Sequence, residues 1–195
     1  MEGLSGVRVV PPRNRQNIRK YTYQLRCALG LKDTEYFPIM EVLELVIPTI
    51  IPDFQVVPVE EESLRGRMAE MLPGECAIKV KQSVYDAACE GHKWARMVMA
   101  HELGHFLLHR DVPLSFAYIE KGQRLPDEVN PEHQADIFAA ELLAPVHLIK
   151  GYNEYQISKH FGVSKASAKI QLGQAKRIDK RHHAKKRKNG QVSTT

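Results

Sequence analysis

The sequence predicts an α+β fold, a small, mostly antiparallel sheet packed on helices. Three observations point to it. Apolar residues recur at helical spacing over 14–29, 91–109, 131–143 and 155–175. Short β-type runs, Phe54–Val59, Arg67–Met71 and Cys76–Val80, lie together between the first helices and the later ones. No internal repeat is present, and 195 residues with 43% hydrophobic content suit one domain with a small appendage.

The elements follow in order. Residues 1–12 read as a loose, extended N-terminus ending in Pro11-Pro12. A helix is expected from Asn14 to Leu29, with Ile18, Tyr21, Leu25 and Cys27 toward the core and Gly30 near its end. Ile39–Val46 forms a second apolar helix, stopped near Pro48. In the strand at 54–59, Pro58 predicts an edge position. Pro73-Gly74 separates the next two strands, of which Ala77–Val80 is the clearest. A long helix from about Gly91 to His109 follows, closed by Pro113. Asn130-Pro131 opens another, with Asn as N-cap and Pro at the first helical position, running to about Leu143. Over Tyr155–Ala175, two short helices join at Gly162, with Ser164 as N-cap, in the spacing of a helix-turn-helix.

The functional signal sits in the long helix, where 101–105 reads His-Glu-Leu-Gly-His. Residues four apart on a helix stack one turn above each other, so His101 and His105 can grip one Zn²⁺ from a single face with Glu102 beside it. This is the H-E-x-x-H arrangement of zinc peptidases, in which the metal acidifies a water and the Glu takes its proton. The competing reading, two histidines satisfied within a core, is weakened by the apolar flanks, Trp94, Ala95 and Met97–Ala100 before and Phe106–Leu108 after. Burying His, Glu and His there is costly unless they are paired or bound to metal. Gly104, a poor helix former, is tolerated where a neighbour approaches closely.

A catalytic zinc needs a third protein ligand. Asp111 would supply one only through a turn at Leu108, which Leu disfavours. His109 is one turn too far along and is expected to pack or to support a ligand from behind. Glu132 and Asp136 share a helix face, so Glu132 could bind metal while Asp136 accepts the far N–H of a ligating His. His133 points off that face, and Glu141 falls on the opposite side as a structural or salt-bridged residue. Spacing alone leaves Glu132 equally explained as a favourable anion in the first helical turn.

Three blocks resemble the ImmA/IrrE family of metallopeptidases: HELGHFLLH at 101–109, PEHQADIFAAELLAP at 131–145 and ISKHFGVSKASAKIQL at 157–172. The resemblance covers roughly 15–175. It implies a thermolysin-type zinc site of His101, His105 and Glu132, with Glu102 as general base and Asp136 behind a ligand. It also implies a zinc metallopeptidase domain at 13–150, a helix-turn-helix-like appendage at 151–175, and an endopeptidase that cleaves a helix-turn-helix repressor to relieve repression in mobile elements or stress responses. Ala144 stands where the family often has Met. No residue securely matches a transition-state-stabilising His or Tyr; Tyr118, His147 and Tyr152 are available.

Charge and composition bound the rest. Residues 176–188 hold eight of the 28 Lys/Arg and one of the 23 Asp/Glu, so the remainder carries a net charge of about −2. Residues 176–195 therefore read as a basic, disordered tail, with weak nucleic-acid contact as its sharper use. The second short helix offers Lys165, Ser167, Lys169 and Gln171 but no strong base-reading side chain, so packing against the core is favoured over DNA binding. Cys27, Cys76 and Cys89 form no C-x-x-C pair and are read as free thiols. No apolar run is long enough to span a membrane, and the start lacks a signal-peptide layout, so a cytoplasmic protein is expected. The alternative function is a DNA-associated regulator with a structural metal and no peptidase activity.

Overall fold

The computed structural model describes residues 4–190 except 73, 114 and 121–123. Five strands and eight α-helices are present among them: β1 (Leu4–Val9), α1 (Arg15–Ala28), α2 (Ile39–Glu41), α3 (Ile47–Ile50), β2 (Gln55–Val59), β3 (Ala69–Leu72), β4 (Ala77–Lys81), α4 (Gln82–Cys89), α5 (Lys93–His109), β5 (Ser115–Glu120), α6 (Pro131–Leu143), α7 (Glu154–His160) and α8 (Lys165–Gly190).

The strands form two small sheets. β3 and β4 pair antiparallel (Met71 opposite Ile78) across a turn in which Gly74 takes φ +87°, and β2 adds parallel to β4. The order β2-β4-β3 puts β2 at an edge, where Pro58 costs no ladder hydrogen bond. Central β4 buries Ile78 and Val80 completely. β1 and β5 form a separate antiparallel pair (Val7 opposite Ala117). The N-terminus is thus a strand over residues 4–9, not the loose segment expected; its first three residues lie outside those described.

Local chemistry accounts for the helix starts. Asn14 and Asn17 close a reciprocal capping box at α1, and the Asn130 side chain accepts from the Glu132 and His133 amides at α6, with Pro131 next. The apolar run at 39–50 does not stop at Pro48. A π-helical turn over Val42–Val46 joins α2 to α3, closed by the Ile47 N–H on the Val42 carbonyl. Pro48 then falls in the first turn of α3, where no N–H is required. On α1, Ile18 is buried as expected, but Cys27 is exposed. Arg26 turns inward instead, donating to the Leu142 and Thr34 carbonyls beneath the Phe37 ring.

α5 is buried over most of its surface and packs along α6. Their close approach is made at Gly104, where a Cβ would stand 3.0 Å from Phe138 Cδ1. Glu141, fully buried on the far side of α6, is paired with Arg15 and Arg19 and ties α1 to it.

The helical pair α7–α8 contributes Ile157, Phe161, Val163 and Ala168 to the same core. The Gln171 amide donates to the Ala140 and Ala144 carbonyls at the end of α6, and Ser164 caps α8. Gly162, at φ +63°, makes the turn between the two helices. The expectation of a disordered tail from 176 is corrected: α8 continues as helix to Gly190, with 191–195 outside the described residues. No helix among the described residues is long and apolar enough to cross a membrane.

Candidate metal centre

α5 and α6 bring His101, His105 and Glu132 together. The two Nε2 atoms are 3.0 Å apart, and the Glu132 oxygens lie 3.3 Å from His101 Nε2 and 3.5 Å from His105 Nε2. Around a tetrahedral zinc with bonds of about 2.0–2.1 Å, neighbouring donors are separated by roughly 3.3 Å. The three donors therefore have the spacing of one face of such a tetrahedron, and their two imidazoles and one carboxylate suit that ion.

The ring of His101 is held from behind, its Nδ1–H donating to Asp136 at 2.9 Å. Burial alone would lower its pKa, but the hydrogen bonds to Asp136 and Glu132 outweigh that and raise it to about 9. The hydrogen bond from His101 and the adjoining His105 ring hold the Glu132 carboxylate well below the usual range despite some burial. Glu102 is buried, and burial pushes its pKa up against the pull of His105, His101 and the Met71 N–H. That N–H, on β3, donates to Glu102 Oε2 at 2.8 Å and fixes the carboxylate at the base of the site.

The site opens into a cleft of about 970 Å³. Arg8, Arg67, Met68, Glu70 and Arg124 line it along with Glu102, His105 and Glu132, and β3 forms one border.

Other candidates fall elsewhere. Asp111 is exposed and pairs with Arg110; His133 faces Asp127 at 3.7 Å. His147 meets the Lys32 carbonyl, and Tyr152 donates to Glu35, both away from the cleft. Tyr118 lies on β5, and its side chain is outside the described residues. His109 stands behind His105, its Nδ1 3.1 Å from His105 Nδ1. Sequence reasoning missed Gln134, fully buried against His109, and the Met71 amide. A backbone amide leaves no residue-type signal, and a single Gln in an amphipathic helix reads as surface.

A family model described as the IrrE N-terminal-like domain matches residues 89–172. Over 86 residues the chain is 33% identical to metallopeptidase ImmA of Bacillus subtilis (strain 168), covering 40% of this chain and 49% of that protein. The chain thus spans about half the length of that relative. The matched stretch contains α5, α6 and α7 whole, and with them every residue of the His-His-Glu cluster. Over that segment, the chain is similar to the metallopeptidases of the ImmA/IrrE family.

Proposed function

We propose that this protein is a zinc-dependent endopeptidase whose substrate is another protein, with a helix-turn-helix repressor as the expected target. The convergence of His101, His105 and Glu132 beside a buried Glu102 carries the reading. In it, His101 Nε2, His105 Nε2 and a Glu132 oxygen hold the ion. When bound, zinc supplies Lewis acidity toward a peptide carbonyl and a water molecule.

Glu102 performs the proton transfers. Its carboxylate takes a proton from the water as the water oxygen attacks the scissile carbonyl carbon, then returns it to the amide nitrogen as the C–N bond breaks. Burial suits it to this role by raising its proton affinity, and the Met71 N–H keeps one oxygen oriented. The edge of β3 beside the cleft offers backbone groups along which an extended peptide can lie. That the relative is named a metallopeptidase supports the activity. The choice of a repressor rests on the family resemblance, and a soluble regulatory protein of that kind fits a cytoplasmic enzyme.

The test is Glu102→Gln. Glutamine keeps an acceptor for the Met71 amide but cannot take a proton. The variant is expected to retain zinc and to lose cleavage of a co-expressed repressor by about 10²–10⁴-fold. Cleavage at the wild-type rate with zinc bound overturns the assignment of Glu102.

A further inference from the structure

We propose that Gln134 and His109 are positioning residues that fix His105 in its Nδ1–H form, leaving the Nε2 lone pair free for the ion. The inference rests on the metal-site reading above and adds a second support, separate from Asp136 behind His101.

The chain of donors can be read in one direction only. Gln134 is fully buried, and its Nε2 lies 2.9 Å from the Pro11 carbonyl and 2.7 Å from the Glu128 carbonyl. An amide nitrogen has two hydrogens to give, and both are used. Flipping the amide would set its oxygen against two carbonyl oxygens, so the orientation is forced. Gln134 Oε1, an acceptor only, then faces His109 Nε2 at 3.0 Å, and that nitrogen must carry the hydrogen.

His109 is 1% exposed, and among the described residues its two ring nitrogens meet Gln134 Oε1 and His105 Nδ1, with no carboxylate to balance a charge, so the buried ring is neutral. A neutral ring protonated at Nε2 has a lone pair at Nδ1. His105 Nδ1 lies 3.1 Å away and is therefore the donor. The remaining nitrogen of His105, Nε2, is the one aimed at His101 and Glu132.

The origin of the chain is itself anchored. Val10 N–H donates to the Val129 carbonyl at 3.1 Å and Arg13 N–H to the Glu128 carbonyl at 2.9 Å. These bonds lock the segment after β1 to the turn before α6, so the two carbonyls that orient Gln134 are held at a fixed separation. The His101–Asp136 pair uses a carboxylate for the same end; His105, on the buried side, uses a neutral relay that adds no charge to the core.

Long-range ¹⁵N–¹H correlation of the histidine side chains in the full chain, stripped of metal, reads the tautomers without any need for activity. His105 is expected as Nδ1–H and His109 as Nε2–H; His105 as Nε2–H overturns the proposal, whatever the protein does to peptides. Zinc affinity, measured by competition with a chelator, supplies the second readout. His109→Phe fills the space but removes the acceptor, and affinity is expected to fall about 10–100-fold. His109→Asn, with an amide oxygen near the position of Nδ1, is expected to restore the greater part. Unchanged zinc affinity in a folded His109→Phe protein overturns the proposal, and should that variant fail to fold, the wild-type tautomers decide it. Zinc bound with the expected tautomers but no cleavage overturns the peptidase reading and leaves this one standing.

Discussion

At the scale of the residue, the proposed metal site sets protons and a cation in competition for the same lone pairs. His101, with its pKa raised to about 9, carries a proton at neutral pH in the absence of metal. Zinc binding at pH 7.5 is therefore expected to release about one proton from this ring, measurable by titration calorimetry in buffers of differing ionisation enthalpy. Affinity falls as pH falls, because the proton must be displaced. The stability of the stripped protein runs the other way. A group whose pKa is raised on folding stabilises fully below its unfolded value near 6.5, and the contribution is lost as pH rises through about 9. Zinc-free protein is thus expected to melt at progressively lower temperature across that window from this group, and His101→Asn is expected to flatten the trend. Release of no proton would place the ligand lone pair elsewhere.

At the scale of the element, the crossing of α5 and α6 decides whether Glu132 reaches His101 and His105. The histidines lie on one helix and Glu132 on the other, so the distance between the axes governs the distance between donors. Gly104 sets it. A methyl group there would press on Phe138 at 3.0 Å and 3.2 Å, and Gly104→Ala is expected to cost about 1–3 kcal/mol in denaturant unfolding and to weaken zinc binding as Glu132 withdraws. Unchanged stability and affinity would mean that Phe138 yields freely.

Much at this scale was legible. The helix that carries residues 101–105, the Asn130-Pro131 start, the turn at Gly74 and the structural place of Glu141 are local patterns or helix-face arguments, and the structure agrees with each. What escaped depends on distant partners. Arg26 points inward because two carbonyls from other segments await it, displacing Cys27 from the core side. β1 is a strand because β5, more than a hundred residues later, completes its ladder. The Gln134–His109 relay needs Pro11 and Glu128 from two further segments. Periodicity sees none of these.

For the whole molecule, the helical pair after the site is part of one core. Ile157, Phe161, Val163 and Ala168 are buried, and the Arg96 guanidinium, stacked on Tyr36 at 3.7 Å, donates to the carbonyls of Phe37 and Gly162. Ending the chain at Lys150 is expected to abolish cooperative unfolding and expose this surface to aggregation. Ending it after Ala175 keeps those residues, removes the basic half of α8, and is expected to leave zinc binding and cleavage intact. If the shorter change removes cleavage while zinc remains, the basic stretch takes part in substrate capture; loss of DNA retention on the same change is what the regulator alternative requires.

The central claim is that two histidines from α5 and one glutamate from α6 hold a single zinc ion. X-ray absorption at the zinc edge, with metal content measured on the same samples, tests it most directly. One zinc per chain is predicted, surrounded by nitrogen and oxygen with two imidazoles. Glu132→Ala is predicted to weaken binding and change the spectrum, and Asp111→Ala to do neither. Sulfur scattering from a cysteine, or a Glu132→Ala spectrum and affinity identical to wild type, would contradict it.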